Sequence, residues 1–493
     1  MDPLLLAMDQ GTTSSRAVVF DRAGRIVAAA QSEFPQVYPQ PGWVEHDPEA
    51  IWTTSLKTAQ KAVVEAEAKG GRIAALGVAN QRETTIVWDR RTLKPIANAI
   101  VWQDRRTSDV CEQLKRAGLE PTVAAKTGLL LDPYFSATKI AWLLDHVDGA
   151  RAAAEAGDLA FGTVDAFLLA RLTDGVHATD ATNAARTSLF NIHTNEWDAE
   201  LLEAFRVPLA MTPSVFDTAD DFGETTPAHF GRAIPIRAMV GDQQAAAAGQ
   251  ACFAAGDIKS TYGTGCFVLA ETGETPVASK NRLLTTISRR LKGKTYYALE
   301  GSIFVAGAAV QWLRDELGLV TSAEETEALA RDISSTGGVY MVPAFVGLGA
   351  PHWSSSARGA LVGLTRGAGR AEIVRAALEA AAYQTADLLG AIARDGAAVS
   401  VLKVDGGMAA NDWLMQFLAD VADRTVERPT VFETTALGAA LLAGLGAGVY
   451  DSLDEIAALR AVDRRFEPSM PQATREDLLN GWAAALRSVL ASA

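Results

Sequence analysis

The sequence has few cysteines and few histidines, and this scarcity excludes several kinds of site. Among 493 residues there are only three cysteines and six histidines. The cysteines are Cys111, Cys252 and Cys266, and no two of them have the C-x-x-C spacing typical of a structural zinc site. Three cysteines also cannot build a disulfide framework. Because the histidines never pair at metal-ligand spacing, we expect no histidine-based metal centre.

Positive charge is also in short supply. Lysine and arginine total 45 residues against 59 aspartates and glutamates, which gives a net charge of −14 at pH 7. A large basic face is therefore not expected, and this argues against binding to nucleic acid or to an anionic membrane surface. A phosphate-bearing ligand would instead be held by backbone N–H groups, a metal ion and a few local cations.

No apolar run is long enough to predict a membrane span. The longest uncharged stretch of interest, residues 434–450, contains four glycines. It is shorter than the roughly 20 residues that a membrane span needs, so it predicts a buried helix and loop. No lysine or arginine precedes the first apolar run, so a secretory signal is not indicated. We expect a cytoplasmic protein without stable membrane association.

What the chain does contain is an alternation of predicted strands and helices. Its composition, 48% hydrophobic and 21% charged, is typical of a globular protein, and its length predicts two to four domains. Strand-like runs alternate with helical patterns in both halves, which favours an α/β fold of two doubly wound halves with a cleft between them. We place the main boundary after residue 248, so the predicted domains are 1–248 and 249–493.

The opening stretch contains the first candidate site. Residues 8–16 read MDQGTTSSR and join two apolar runs, which predicts two strands connected by a tight polar turn. Gly11 can adopt backbone conformations closed to other residues, and the turn offers hydroxyls beside free N–H groups. One interpretation is a cradle for phosphate and a divalent metal; the alternative is a polar hairpin turn without a ligand. The candidate residues are Asp9, Thr12, Thr13, Ser14 and Arg16.

A second stretch repeats this pattern later in the chain. Residues 257–262 predict a strand, Gly263-Thr264-Gly265 a tight turn, and residues 266–271 another strand. The spacing loosely matches that of the first thirty residues, which suggests an ancient duplication. Thr264 then becomes a candidate partner for the first turn.

Polar residues follow three further predicted strands, at the strand ends where open α/β sheets bind ligands. Arg82-Glu83 follow the strand 73–79, and a solvated surface pair is the alternative. Asp242-Gln243 follow the strand 234–240, where Asp242 is interpreted as a catalytic carboxylate or as the N-cap of an alanine-rich helix, and the two roles are compatible. Gly406-Gly407 follow the strand 402–404 and suit a nucleotide close to a helix N-terminus, or an ordinary turn.

Two glycine-rich stretches do not predict nucleotide sites. Gly293-Lys294-Thr295 resembles the end of a P-loop, but position 288 is serine where the first glycine is required. Residues 444–448 follow a predicted helix rather than a strand, which is typical of helix termination. Trp102 ends an apolar run and either forms the wall of a site or packs in the core.

Taken together, these clusters resemble the FGGY carbohydrate kinases, and most closely the members that phosphorylate glycerol. The match runs in family order along almost the whole chain. It is carried by DQGTTSSR (9–16), PGWVEHDP (41–48), NQRETTIVW (80–88), DPYFS (132–136), GDQQ (241–244), TYGTGCF (261–267) and VDGG (404–407).

The resemblance implies two actin-like (ribonuclease H-like) ATPase domains that close over a cleft. It implies direct in-line transfer of the γ-phosphoryl group of ATP to glycerol, giving ADP and sn-glycerol 3-phosphate, with Mg²⁺ as the metal. We also expect a homo-oligomer, either a dimer or a tetramer. The alternatives are a kinase for another small polyol or ketose, and a non-catalytic actin-like ATPase module.

The resemblance also implies a role for each candidate residue. Asp242 would be the general base, and Asp9 would organise Mg²⁺ through water. Trp102 and Phe267 would lie against the carbon edge of glycerol. The hydroxyls of glycerol would be held by Arg82, Glu83, Tyr134, Asp242 and Gln243. The phosphates would meet Thr12, Thr13, Ser14 and Arg16, with Thr264 opposite, and the nucleotide site would be lined by Gly307, Gln311, Gly407 and Asn411.

Overall fold

In a computed structural model that describes residues 3–399 and 401–492, a five-stranded sheet organises the N-terminal half. The central strand, Pro3–Gln10, lies antiparallel to Ser14–Phe20 and parallel to Arg72–Asn80. The predicted pair of strands around a tight turn is therefore confirmed. In spatial order the strands are Ile236–Gly241, Arg72–Asn80, Pro3–Gln10, Ser14–Phe20 and Ile26–Glu33.

Helices cover both faces of this sheet, which explains why its central strand is almost wholly apolar. Leu4 and Leu6 belong to a buried cluster that includes residues of the helix Pro48–Ala68. Leu5 belongs to a second buried cluster, with residues of the helix Thr434–Gly446. Because neighbouring residues of a strand face opposite sides of the sheet, a strand covered on both faces needs an unbroken apolar run.

A seven-stranded sheet organises the C-terminal half and repeats the plan of the first. Its first two strands in the chain are antiparallel, and the first also pairs in parallel with a strand far along the chain. Five of its strands match the N-terminal sheet in order and direction, so the suspected repeat is present in the topology. In spatial order the strands are Leu284–Leu291, Lys294–Ile303, Cys266–Gly273, Ile258–Tyr262, Leu402–Asp405, Val426–Pro429 and Val462–Phe466.

The remaining elements are helices and short strand pairs around the two sheets. None of the helices within residues 3–399 and 401–492 is both long and apolar enough to cross a bilayer. The other helices of eight or more residues are Ser108–Arg116, Glu120–Thr127, Ser136–His146, Val164–Thr173, Asp242–Gly249, Gly307–Asp315, Glu325–Asp332, Arg370–Arg394, Asp412–Ala422 and Gln472–Ala491. The short strands pair as Glu45–His46 with Ala99–Ile100, Ile86–Asp89 with Leu159–Gly162, Ala178–Asp180 with Ser214–Phe216, Phe190–Asn191 with Glu196–Trp197, and Tyr340–Val342 with Ala360–Val362.

Two helices, one from each half, cross with their backbones in contact. Asp242–Gly249 follows the last strand of the N-terminal sheet, and Thr434–Gly446 follows a strand of the C-terminal sheet. A Cβ atom on Gly438 would lie 1.8 Å from the carbonyl oxygen of Ala245, and one on Gly249 would lie 2.1 Å from the carbonyl oxygen of Thr434. Only glycine permits this approach. The helix Thr434–Gly446 thus completes the core of the N-terminal sheet, and the domain boundary after residue 248 stays a prediction.

Candidate functional site

The two repeated turns open onto one cavity between the halves. In the first turn, the Gly11 N–H donates to the carbonyl oxygen of Ser14 at 2.9 Å. In the second, the Gly263 N–H donates to the carbonyl oxygen of Gly265, also at 2.9 Å. Thr12 and Thr13 from one turn and Thr264 from the other line a cavity of about 400 Å³, here called the inter-half cavity. The first turn therefore faces its repeat, as the sequence predicts.

The residues assigned to the polyol by resemblance all line the inter-half cavity, although they come from five separate stretches of chain. They are Arg82, Glu83, Trp102, Tyr134, Asp242, Gln243 and Phe267.

Asp242 is the first residue of its helix rather than the residue that caps it. Gly241 occupies the N-cap position, so the interpretation of Asp242 as an N-cap is wrong. One Asp242 carboxylate oxygen accepts from the Gln243 N–H at 2.7 Å and lies 3.2 Å from Nε of Arg82. The side chain is 28% exposed, so the carboxylate still reaches the cavity. The helix N-terminus and Arg82 both interact favourably with its negative charge.

Arg82 and Glu83 are buried, so the interpretation of them as a solvated surface pair is wrong. Each side chain is only 2% exposed. Both terminal nitrogens of Arg82 donate to Glu300, and Glu83 accepts from Nε of Arg186 at 2.6 Å. Burial alone would raise the pKa of Glu300, but Arg186 and Arg82 outweigh burial and lower that pKa to about 2. Glu300 is therefore ionised between two arginines.

Aromatic side chains from both halves form one wall of the inter-half cavity. Trp102 meets Tyr134 edge to face with ring centroids 5.6 Å apart, and it meets Phe267 in the same way at 6.0 Å. The indole N–H of Trp102 donates to the Thr12 hydroxyl at 3.0 Å. Trp102 thus both lines the cavity and packs against a small buried cluster, so both interpretations of this residue hold.

A second cavity, of about 500 Å³, adjoins the first within the C-terminal half. We call it the nucleotide cavity; the residues it shares with the inter-half cavity are Gly263, Thr264 and Gln311. The residues assigned to the nucleotide by resemblance that line it are Thr264, Gly307, Gln311, Gly407 and Asn411. A ligand in one cavity would therefore reach the turn Gly263-Thr264-Gly265 that borders the other.

Gly307 and Asn411 are placed by backbone contacts at two helix N-termini. The Gly307 N–H donates to the carbonyl oxygen of Gly263 at 3.0 Å. A Cβ on Gly307 would lie only 2.6 Å from that oxygen, so only glycine lets the helix begin against the turn. The Asn411 side chain accepts from the Leu414 N–H at 2.9 Å and caps the helix Asp412–Ala422.

Asp9, Ser14 and Arg16 line neither cavity. Arg16 forms an ion pair with Glu433 and donates to Gln31 at 3.0 Å, while the Ser14 hydroxyl accepts from Gln31 at 3.1 Å. Asp9 lies opposite Arg16 in the strand pair. Burial raises the pKa of Asp9 to about 6; Arg16 opposes this rise and Asp242 adds to it. Asp9 is therefore within electrostatic reach of the cavity carboxylate.

The part of the chain that the structure describes has no cluster of three or more histidine, cysteine, aspartate or glutamate side chains suited to a metal ion. A divalent cation near Asp9 would thus depend on phosphate oxygens and water for its other ligands. This donor set fits Mg²⁺, which keeps several waters and binds through one or two carboxylates together with substrate phosphates.

The sequence interpretation missed the charged residues behind the inter-half cavity. They are Arg186, Glu300 and Lys259, whose ammonium group contacts Gln243 and lies 2.9 Å from the Thr261 hydroxyl. One signal was present: Glu300 interrupts an apolar strand, and a charged residue is rarely fully buried unless it is paired. The exclusion of a P-loop is confirmed, because Gly293 forms a hairpin turn between Leu284–Leu291 and Lys294–Ile303.

Comparison with known families and proteins points to carbohydrate kinases. The model of the FGGY family of carbohydrate kinases, N-terminal domain, matches residues 4–249, and the C-terminal domain model matches residues 258–447. A glycerol kinase of Rhodospirillum centenum is 64% identical over 98% of both chains. Glycerol kinase 1 of Pseudomonas aeruginosa is 57% identical over the full length of both.

Solved structures agree with this result. The crystal structure of Plasmodium falciparum glycerol kinase with ADP superposes with a TM-score of 0.92, at 36% identity, over 99% of this chain and 98% of that one. A gluconate kinase from Lactobacillus acidophilus shares the fold at a TM-score of 0.89 and 22% identity, over 100% of this chain and 99% of that one. The predicted fold class, a two-domain α/β fold of the actin-like type, is confirmed.

Proposed function

This chain belongs to the FGGY family of carbohydrate kinases, and we propose that it transfers the γ-phosphoryl group of ATP to glycerol, giving ADP and sn-glycerol 3-phosphate. The observation that carries the proposal is the pair of adjoining cavities. One is lined by charged and aromatic side chains and the other by glycine-rich turns and helix N-termini, and they meet at Thr264 and Gln311.

The inter-half cavity suits a small polyol. Each hydroxyl of a polyol is both a donor and an acceptor, so its site needs both kinds of partner. Arg82 supplies a donor, Glu83 an acceptor, and the Gln243 amide supplies one of each. Trp102 and Phe267 offer ring surfaces to the C–H edge of the molecule. An ATPase module without a polyol substrate has no use for this combination.

Asp242 is the proposed general base. Phosphoryl transfer depends on alignment and charge neutralisation more than on covalent help from the enzyme. The attacking hydroxyl of glycerol loses its proton as it bonds to phosphorus, and Asp242 would accept that proton. Its carboxylate is held by Arg82 and by the Gln243 N–H, so it is already oriented before the substrate arrives.

The two turns would hold the phosphates from opposite sides. Thr12 and Thr13 from the N-terminal half and Thr264 from the C-terminal half would donate to phosphate oxygens. Ser14 and Arg16 do not line either cavity and would instead stabilise the first turn. When bound, Mg²⁺ would neutralise charge on the phosphate oxygens, and Asp9 would hold it through water. Closure of the halves would exclude water, which competes with glycerol as the acceptor.

A coupled assay of ADP release across glycerol, dihydroxyacetone, xylulose and gluconate tests the proposal. We expect kcat/KM to be highest for glycerol. A higher kcat/KM for dihydroxyacetone, xylulose or gluconate would instead identify that compound as the phosphoryl acceptor. Calorimetry that shows ATP binding but no binding of any acceptor would favour the non-catalytic ATPase module instead.

Gly307→Ala is expected to weaken ATP binding selectively. Its Cβ would meet the Gly263 carbonyl oxygen at 2.6 Å, so the turn and the helix N-terminus beside the nucleotide cavity must separate. Because overpacking of this kind costs about 1–3 kcal/mol, we expect KM for ATP to rise about tenfold. Calorimetry should show a smaller loss of glycerol affinity, because the turn at Gly263 borders the inter-half cavity but contains none of the residues proposed to hold the glycerol hydroxyls.

The matched control for this substitution is Gly367→Ala. Its new Cβ would lie 3.9 Å from the Thr365 hydroxyl, which is ordinary contact, and we expect no change in either substrate constant. If KM for ATP were the same in Gly307→Ala and in the parent chain, the placement of ATP in the nucleotide cavity would be contradicted.

The cellular compartment in which the reaction takes place also stays a prediction. The structure includes three free, buried cysteines, Cys111, Cys252 and Cys266, and a substrate such as ATP favours the cytoplasm. The dimer or tetramer expected from the resemblance is likewise a proposal.

A further inference from the structure

A cluster of four charged side chains extends from the wall of the inter-half cavity into the protein interior behind it. Arg82, Glu83, Arg186 and Glu300, here called the buried ion cluster, are each at most 2% exposed. Glu300 lies 2.5 Å and 3.0 Å from the two terminal nitrogens of Arg82 and 2.9 Å from a terminal nitrogen of Arg186. Arg186 in turn donates through Nε to Glu83 at 2.6 Å. Glu300 is therefore the shared acceptor of two arginines that would otherwise repel each other.

The buried ion cluster joins the two halves. Glu300 lies within the strand Lys294–Ile303 of the C-terminal sheet. Arg82, Glu83 and Arg186 all belong to the N-terminal half. Arg82 and Glu83, two of the residues proposed to hold the polyol, thus have their orientation set by a carboxylate from the half that holds the nucleotide cavity.

The contacts of Arg82 show what Glu300 controls. Glu300 accepts hydrogen bonds from both terminal nitrogens of Arg82, and one of these nitrogens also donates to the Gln244 side chain at 3.2 Å. Nε is left beside the Asp242 carboxylate, at 3.2 Å. The aliphatic part of Arg82 lies close along Gly241, where a Cβ would be 2.7 Å from Cδ of Arg82. The guanidinium plane is therefore fixed at its far end by Glu300 and at its near end by the backbone.

Arg186 depends on Glu300 in the same way. Its remaining terminal nitrogen is buried and has no hydrogen-bond partner. If Glu300 lost its charge, Arg186 would keep only Glu83 as an anionic partner. Glu83 would then be drawn further toward Arg186 and away from the cavity, because a buried charge needs an opposite charge or strong hydrogen bonds.

We propose that Glu300 is a positioning residue for the polyol. It fixes Arg82 directly and Glu83 through Arg186, so that both present the geometry that the hydroxyls require. This inference rests on the proposed function, because it assigns the role through residues that contact the polyol. It follows that the C-terminal half contributes to polyol affinity without touching the polyol.

The test is Glu300→Gln, which keeps the shape of the side chain and removes its charge. We expect KM for glycerol and the calorimetric glycerol Kd to rise at least about tenfold, because loss of the charge weakens the hydrogen bonds that hold both arginines. We expect KM for ATP to stay within about twofold, because the nucleotide cavity shares no residue with the buried ion cluster.

The matched control is Glu271→Gln. Glu271 lies on the neighbouring strand and the same face of the sheet, is 1% exposed and pairs with Arg289 at 3.0 Å. It lines neither cavity. Its substitution removes a buried paired carboxyl as well, so it should lower the thermal midpoint while leaving both substrate constants within about twofold.

Three outcomes would overturn the inference: unchanged glycerol constants in Glu300→Gln, parallel rises for glycerol and ATP, or the same rises in Glu271→Gln. If Glu300→Gln does not fold, Glu300→Asp is the second variant, which keeps the charge but shortens the side chain. We expect it also to raise KM for glycerol while KM for ATP stays within about twofold. Failure of the proposed function would be seen separately, since the parent chain would then not phosphorylate glycerol. The constants would in that case be measured with the acceptor that it does use.

Discussion

Asp242→Asn is expected to lower kcat about 10³-fold while glycerol binding stays measurable. General acid–base groups contribute about 10²–10⁴-fold to rate, and an amide cannot take the proton of the attacking hydroxyl. The Asn oxygen can still accept from the Gln243 N–H and from Nε of Arg82, so the local geometry should persist. Coupled ADP release gives the rate, and calorimetry gives the glycerol affinity.

Asp217→Asn is the matched control for this substitution. Asp217 is also paired with an arginine, Arg290, at 2.6 Å and is largely buried, but it lines neither cavity. We expect its turnover to equal that of the parent chain. If Asp242→Asn kept more than about a tenth of the parent turnover, another group would have to accept the proton.

Gly438→Ala is expected to lower the free energy of unfolding by about 3 kcal/mol, because overpacking a close contact forces the backbone to move. The new Cβ would lie 1.8 Å from the Ala245 carbonyl oxygen and 2.8 Å from the Gly249 nitrogen, so the two crossing helices must separate. Separation would also loosen the buried apolar cluster between the N-terminal sheet and the helix Thr434–Gly446. Urea denaturation followed by circular dichroism measures the change.

Gly390→Ala serves as the control, since it places alanine in another long helix without this clash. The nearest atom to its Cβ is the flexible end of Arg394, at 3.3 Å. Because alanine favours helix by about 1 kcal/mol over glycine, this variant should be as stable as the parent chain or slightly more so. Equal stability of Gly438→Ala and Gly390→Ala would show that the helices can move apart freely.

Local features of the fold and of the cavity were predictable because short-range chemistry fixes them. The turn at Gly11 is flanked by apolar runs, and the helix Pro48–Ala68 begins with Asp47 accepting from the Glu49 N–H at 2.9 Å, as expected of an N-cap before proline. Asp242 follows a buried strand, and strand ends collect at one edge of a sheet. The sequence also locates the second turn, since it repeats the pattern of the first.

The long-range contacts were not predictable from the residues. Arg82 and Glu300 are 218 positions apart, and no local pattern links an arginine after one strand to a glutamate inside another. The helix Thr434–Gly446 is apolar on nearly every side, so its sequence does not indicate which sheet it covers. The N-cap interpretation of Asp242 was wrong because Gly241, which has no side chain, occupies the cap position.

The crossing of the two glycine-bearing helices resembles the interface of a symmetric dimer. Ala245 and Gly249 are four residues apart, as are Thr434 and Gly438, and each glycine meets the carbonyl oxygen of the first residue in the other pair. Such reciprocal contacts define an isologous, self-complementary interface, here formed within one chain. The repeated halves are thus related like two fused subunits. The symmetry does not extend to the residue three positions before each pair, which is Asp242 in one half and Val431 in the other.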